Sequence, residues 1–188
     1  YKEFIVVDEP KLDENNQVFK TTTVALASKF PVKKVEKVLR NDNFTFAREP
    51  IKATICLKDD FDITIYVAHL KSNRLNEFEY KFTQNSTFEQ KLEKFQVAQK
   101  NNYSLSLKQR IDEAKTLHFD IKKQKNPSIL LCDLNDREFS VTIEALTNKR
   151  FYIKDLKKDD FILFDSYYLA PKNIYNPHPE FKGFTRTP

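Results

Sequence analysis

Apolar and polar residues alternate strictly along Ile51–Leu57, where Ile51, Ala53, Ile55 and Leu57 are separated by Lys52, Thr54 and Cys56. This is the period-two pattern of a strand with one buried face. Phe61–Leu70 repeats it with Phe61, Ile63, Ile65 and Val67, and the acidic Asp59–Asp60 in between suits a hairpin turn. The two segments are therefore expected as antiparallel neighbours. Thr22–Phe30, rich in Thr, Val, Ala and Leu, reads as an earlier strand. Ser128–Leu134 is almost continuously apolar after Pro127, as expected of a central strand covered on both faces.

Helical spacing takes over between the last two of these strands. Ser86 followed by Glu89 has the spacing of a capping box, with Phe88, Leu92 and Phe95 on one face beyond it. Ser106 with Gln109 repeats the device, and Leu107, Ile111, Ala114, Leu117 and Ile121 form a 3.6-residue stripe. Ser140 is placed to cap a short helix over Val141–Thr147. Leu75–Tyr103 is polar enough to be a surface excursion that carries the first helix. Hairpin-paired strands followed by a helical crossover to a buried strand predict a mixed α/β layered domain.

Composition narrows this picture. At 188 residues the chain has the size of one domain, 1–188, large enough to fold without disulfides or a structural metal. The longest apolar runs, such as Ile129–Cys132 and Phe161–Phe164, are far too short to cross a bilayer, so a soluble chain is expected. A monomer is expected as well. Tyr1–Ile5 has no secretory leader pattern, and cytoplasmic and secreted locations both stay open. Cys56 and Cys132 lie inside apolar runs and read as small buried thiols rather than as a disulfide framework. A single glycine, Gly183, can supply neither a Rossmann fingerprint nor a P-loop. The net charge of +5 and pI near 9.0 suit a phosphate-bearing partner, although lysine is abundant throughout and solvates the surface in any case.

The candidate chemistry sits at the ends of two of the predicted strands. His69 closes one of them, in Val67–Arg74, and Asp133 and Asn135 stand at the end of another, where an i, i+2 spacing on an extended chain points both side chains one way. With no zinc-type Cys/His spacing, any metal would be a hard cation held by oxygens, magnesium first. A carboxylate, an amide and an imidazole converging on one point can bind such an ion, activate a water and orient a phosphate. Taken singly, each has a plainer explanation as a turn former or a hydrogen-bonded surface residue.

Together and in this order the residues resemble a known family. Asp133-Leu134-Asn135-Asp136, after an apolar run, resembles the Gly-Asp-Phe-Asn-Asp signature of the endonuclease/exonuclease/phosphatase family, and His69-Leu70-Lys71-Ser72 its His-Leu-Lys-Ser motif. Ala25–Val32 is similar to the family's Leu-Leu-Ser-Lys-Tyr-Pro-Ile strand, Arg48-Glu49-Pro50 to the Arg-x-Pro before its next strand, and Arg110–Ala114 to its Arg-x-x-Glu-Ala helix. The likeness spans about residues 20–145.

The resemblance implies a deoxyribonuclease-like fold, a four-layer sandwich of two packed mixed β-sheets with helices outside. It also implies a phosphodiester hydrolase dependent on magnesium, or alternatively manganese, with nucleic acid as the foremost substrate. By similarity Asp133 would be the general base or a metal-linked carboxylate, Asn135 would orient the phosphate and share the metal, and His69 would bind the phosphate and stabilise developing charge. Arg48, Lys71 and Ser72 would add phosphate contacts, while Arg110, opening an amphipathic helix, is expected to be structural. Cys132 stands where the family has Gly. The family's Gln-Glu pair would fall before Tyr1 and its Ser-Asp-His beyond Pro188, with Phe184–Thr187 similar to the stretch just ahead of the latter, so an internal portion of a longer domain is expected. Two other readings stay open. One is a phosphatase or sphingomyelinase-type lipid phosphodiesterase on the same fold, favoured if Phe151–Tyr152 or Tyr167–Tyr168 are exposed, and the other is a non-catalytic scaffold.

Overall fold

A computed structural model describes residues 2–15, 21–40, 43–58, 61–72, 82–101 and 104–166. The alternating segments form β4 (Ile51–Cys56) and β5 (Asp62–His69), paired antiparallel from Ile51↔Val67 to Cys56↔Asp62. The hairpin expectation holds, while its Asp59–Asp60 turn lies outside the described residues. β3 (Val32–Glu36) pairs antiparallel with β4, and β6 (Ser128–Asp133) pairs parallel with β5, giving a mixed sheet in the order β3-β4-β5-β6. A second, two-stranded sheet joins β1 (Glu3–Ile5) to β2 (Leu26–Ser28). With three α-helices among the described residues the protein is of the mixed α/β class.

The expected strand Thr22–Phe30 shrinks to β2, because the chain turns to change sheets. The Ser28 hydroxyl donates to the Phe30 carbonyl at 2.8 Å and accepts from the Phe30 N–H at 3.0 Å, and Pro31 has no N–H to continue a ladder. Sequence reading missed β3 altogether. Its Val-Lys-Lys-Val-Glu pattern is too polar to suggest a strand, yet that polarity suits a strand with an exposed edge, and the Lys33–Asp62 ion pair at 2.8 Å pins it.

The two faces of the larger sheet carry separate cores. Ile51, Ala53, Ile55 and Ile65 pack with Val24 and Leu26, beneath β2. Tyr66, Ala68, Leu130 and Cys132 pack against the helices on the opposite side. This corrects two expectations. β4 is buried on both faces rather than one, because Lys52 is not solvated: its Nζ reaches the wholly buried Asp120 of the second helix at 2.8 Å. β6, expected to be central and doubly covered, has β5 as its one strand neighbour among the described residues, and its Ile129 and Leu131 remain 47% and 50% exposed. Apolar runs report composition, and only strand order says what covers them.

Each helix forms where the periodicity places it, with its cap moved in two of three cases. α1 (Phe88–Lys100) is capped by Thr87 in a complete box with Gln90, since the neighbouring Ser86 hydroxyl instead accepts the Thr83 N–H at 2.9 Å. Its buried set is Lys91, Phe95 and Ala98, with Leu92 packed alongside, and Lys91 pairs with Glu144 at 2.6 Å. α2 (Leu105–Ile121) starts at Ser104, not Ser106, and all five residues of its predicted stripe are buried. α3 (Val141–Thr147) begins at the expected cap, Ser140. Beyond it, Phe151 packs on the helical core and the Tyr152 hydroxyl donates to the Ala145 carbonyl, so this pair is not the exposed aromatic loop that would favour lipid. Tyr167–Tyr168 lies outside the described residues.

Cys56 and Cys132 are half-buried thiols rather than buried ones, and burial pushes the Cys132 thiol up to about 12, which makes it a poor nucleophile. No helix among the described residues is long and apolar enough to cross a membrane.

Candidate active site

Parallel pairing of β5 with β6 decides which residues meet. The register runs from Thr64↔Ser128 to His69↔Asp133, so the last residues of two strands far apart in sequence are side by side. His69 Nε2 lies 3.7 Å from Asp133 Oδ2. The Leu70 N–H donates to the Asp133 carbonyl at 3.0 Å and closes the ladder just beyond the tips.

Asn135 joins them by a route the sequence did not suggest. β6 ends at Asp133, and Asn135 adopts φ 48°, so the extended-chain geometry behind the i, i+2 argument does not exist here. The left-handed conformation, which Asn tolerates better than most residues, turns the chain back. The Asn135 N–H then donates to Asp133 Oδ1 at 2.9 Å, and its Nδ2 donates to the Leu70 carbonyl at 2.9 Å. Cys132 occupies regular strand, so the position that the resembling family fills with Gly has no need of one here.

The same Leu70 carbonyl accepts from Arg48 Nη1 at 3.0 Å. Arg48, in the loop before β4, also donates to Thr22 Oγ1 at 2.8 Å and to Ser72 Oγ at 3.3 Å. One carbonyl at the tip of β5 thus gathers Arg48 and Asn135, with His69 preceding it in the chain and Ser72 beside the guanidinium. Lys71 enters through its backbone, its N–H donating to Glu113 Oε2 at 2.6 Å and its carbonyl accepting from Arg110 Nη1 at 3.3 Å. Of the six residues singled out in the sequence, His69, Asp133, Asn135, Arg48 and Ser72 are connected by these contacts. For Lys71 the contacts are those of the main chain.

No protein-family model, curated protein or solved structure matches this chain.

Electrostatics sort the roles open to these groups. Burial first, and the Arg48 guanidinium second, lower the pKa of His69 below its ordinary 6.5, outweighing the pull of Asp133. The imidazole is therefore neutral at pH 7, and its approach to Asp133 is not an ion pair. Asp133 is 65% exposed on its side chain, open to a water or an ion. Among the described residues no three His, Cys, Asp or Glu side chains gather to form an all-protein cage. Magnesium does not ask for one, since it keeps several waters and takes one or two carboxylates together with phosphate oxygens. The exposed Asp133 carboxylate and the oxygen end of the Asn135 carboxamide fit that demand.

Sequence reading passed over Thr22, and it did not see what Glu113 does. The available signal was two charged residues, Arg110 and Glu113, on the flank of the α2 stripe where apolar side chains would be expected.

A pH effect on stability follows from the two histidines among the described residues. Burial also lowers His118, which is 1% exposed with Nδ1 2.9 Å from the Leu146 carbonyl; Lys122 and Lys149 lower it further. A group whose folded pKa lies below its unfolded 6.5 leaves the unfolded chain holding more protons, so stability falls as pH drops from 6.5 downward. His118→Gln lacks that titration. The lead of the wild type over the variant in urea midpoint should shrink as pH is lowered through this window, and a constant lead would disprove the assignment.

Proposed function

We propose that the protein is a magnesium-dependent phosphodiester hydrolase of the endonuclease/exonuclease/phosphatase family, acting on nucleic acid. The observation that carries this reading is the pairing of His69 with Asp133 at adjacent strand tips, with Arg48 and Asn135 meeting on the carbonyl between them. An imidazole, a carboxylate, a carboxamide and a guanidinium around one point are what binding and attacking a phosphodiester require. The deoxyribonuclease-like four-layer sandwich, two packed mixed sheets with helices outside, belongs to the same proposal. Packing of Val24 and Leu26 against one face of the larger sheet, with the helices on the other, supports it.

In this mechanism Asp133 and Asn135 would hold the cation, and the Asp133 carboxylate oxygen not engaged by it takes the proton of the attacking water. Magnesium, or manganese in its place, would supply charge neutralisation on the phosphate and make the attacking water more acidic. Neutral His69 donates its ring N–H to a non-bridging oxygen where charge develops. Arg48 has donors beyond the three engaged among the described residues, and it presents them to the phosphate with Ser72 beside it. Asn135 holds the scissile group against this face. The basic balance of the chain favours a polyanionic substrate over a single phosphate.

The test is metal dependence. Purified natural full-length protein should cleave DNA or RNA with magnesium or manganese and lose that activity in a chelator, regaining it when the cation is returned. Cleavage that persists in chelator would overturn the metal role, and failure to cleave any phosphodiester would overturn the hydrolase.

A further inference from the structure

The buried charges on α2 suggest how the three segments of the site keep their spacing. Glu113 is fully buried and divides its carboxylate between two loops. Oε1 accepts from the Ala47 N–H at 2.7 Å and from Gln109 Nε2 at 3.2 Å, and Oε2 accepts from the Lys71 N–H at 2.6 Å. Ala47 immediately precedes Arg48, and Lys71 lies between the His69–Leu70 tip and Ser72. One turn earlier on the same helix, buried Arg110 donates to the Lys71 carbonyl at 3.3 Å and to Asp136 Oδ2 at 3.1 Å. Asp136 also accepts from the Thr142 hydroxyl, which fastens the Asp133–Asp136 turn to α3.

A buried carboxylate is costly unless donors satisfy it. Two of the donors here are backbone groups of separate loops, so the charge is stabilised only while those loops stay at one distance from each other. We propose that Glu113, assisted by Arg110, is a positioning residue for the phosphate site. It fixes Arg48 relative to His69 and Ser72, and Arg110 adds the turn bearing Asp133 and Asn135. The inference rests on the hydrolase reading but makes a claim about geometry that can be read without catalysis.

Glu113→Gln keeps the size of the side chain but turns an NH2 toward one of the two backbone N–H donors. Folded Glu113→Gln should lose on the order of a hundredfold in kcat/KM, most of it in kcat, as misplacement of a reacting group by about 1 Å does. In an Arg48→Ala background the same change should cost no more than about threefold, because the group it positions is gone. Independent, multiplying losses would mean that Glu113 merely supports the fold, and would overturn the proposal.

A second measurement needs no turnover. In nuclear magnetic resonance spectra of the full chain, Glu113→Gln should move the backbone amides of 47–48 and 70–72 while those of β4 and α3 hold still. It should also weaken the response of the Arg48 and His69 side-chain signals to inorganic phosphate. Unmoved amides and an unchanged phosphate response would sink the positioning role. If these shifts occur in a protein that cleaves nothing, the positioning role stands and the hydrolase does not.

Discussion

Asp133→Asn should lower phosphodiester cleavage by at least about two orders of magnitude, the loss typical of removing a general base or a charge-stabilising group. The substitution is mild for the fold. The side chain is 65% exposed, and an Asn oxygen can still accept the Asn135 N–H that Oδ1 accepts now. What disappears is the carboxylate charge beside His69 that the proposed mechanism needs. His69→Ala should lose as much by a different route, since it removes the neutral donor that the proposed mechanism places at the phosphate and leaves Asp133 in place. Initial rates at saturating magnesium, with circular dichroism to verify folding, make the comparison. A folded Asp133→Asn enzyme within about tenfold of wild type would take Asp133 out of the mechanism.

The largest expected effect on stability lies at Asp120. Its carboxylate, fully buried on α2, accepts from Lys52 Nζ at 2.8 Å, from the Tyr66 hydroxyl, from the Leu39 N–H and from Gln124 Nε2 at 2.9 Å. Burial, with Asp120 reinforcing it, pushes the Tyr66 phenol far up its range, so it stays a neutral donor at any physiological pH. Asp120→Ala strands the Lys52 ammonium in the interior and should cost about 3–5 kcal/mol. Tyr66→Phe removes one hydrogen bond to a charged acceptor and should cost roughly 1.5–3 kcal/mol. Urea unfolding at neutral pH gives both values. If Asp120→Ala proved the milder of the two, the ion pair would not be what holds α2 to β4.

Parts of the fold were readable in the chain and parts were not, for identifiable reasons. The α2 stripe is local: Leu107, Ile111, Ala114, Leu117 and Ile121 recur at the helical period whatever they pack against, and all are buried. The Ser140 cap is local too. The caps of α1 and α2 moved by one or two residues because several hydroxyls lie close together there: Ser86 is engaged by the Thr83 N–H and leaves Thr87 to cap α1, and Ser104 takes the Ser106 and Leu107 N–H groups. β3 escaped notice because an edge strand needs little apolar surface. β4 and β6 exchanged their expected degrees of burial because a strand's own residues do not record its neighbours. Lys52 is tolerable inside only because Asp120, 68 residues later, is there to receive it.

The candidate site divides in the same way. Local sequence determined that His69 would end a strand, that Asp133 would end another, and that the turn after it would be rich in side chains able to hydrogen-bond their own backbone. Those are short-range preferences, set by side-chain shape and by which backbone groups lie within reach. Only the tertiary structure decided that the two strands run parallel in the register His69↔Asp133, that a left-handed Asn135 folds back to the Leu70 carbonyl, and that Glu113 spans two loops. Register and long-range hydrogen bonds depend on what the rest of the chain buries, and no local pattern carries that information.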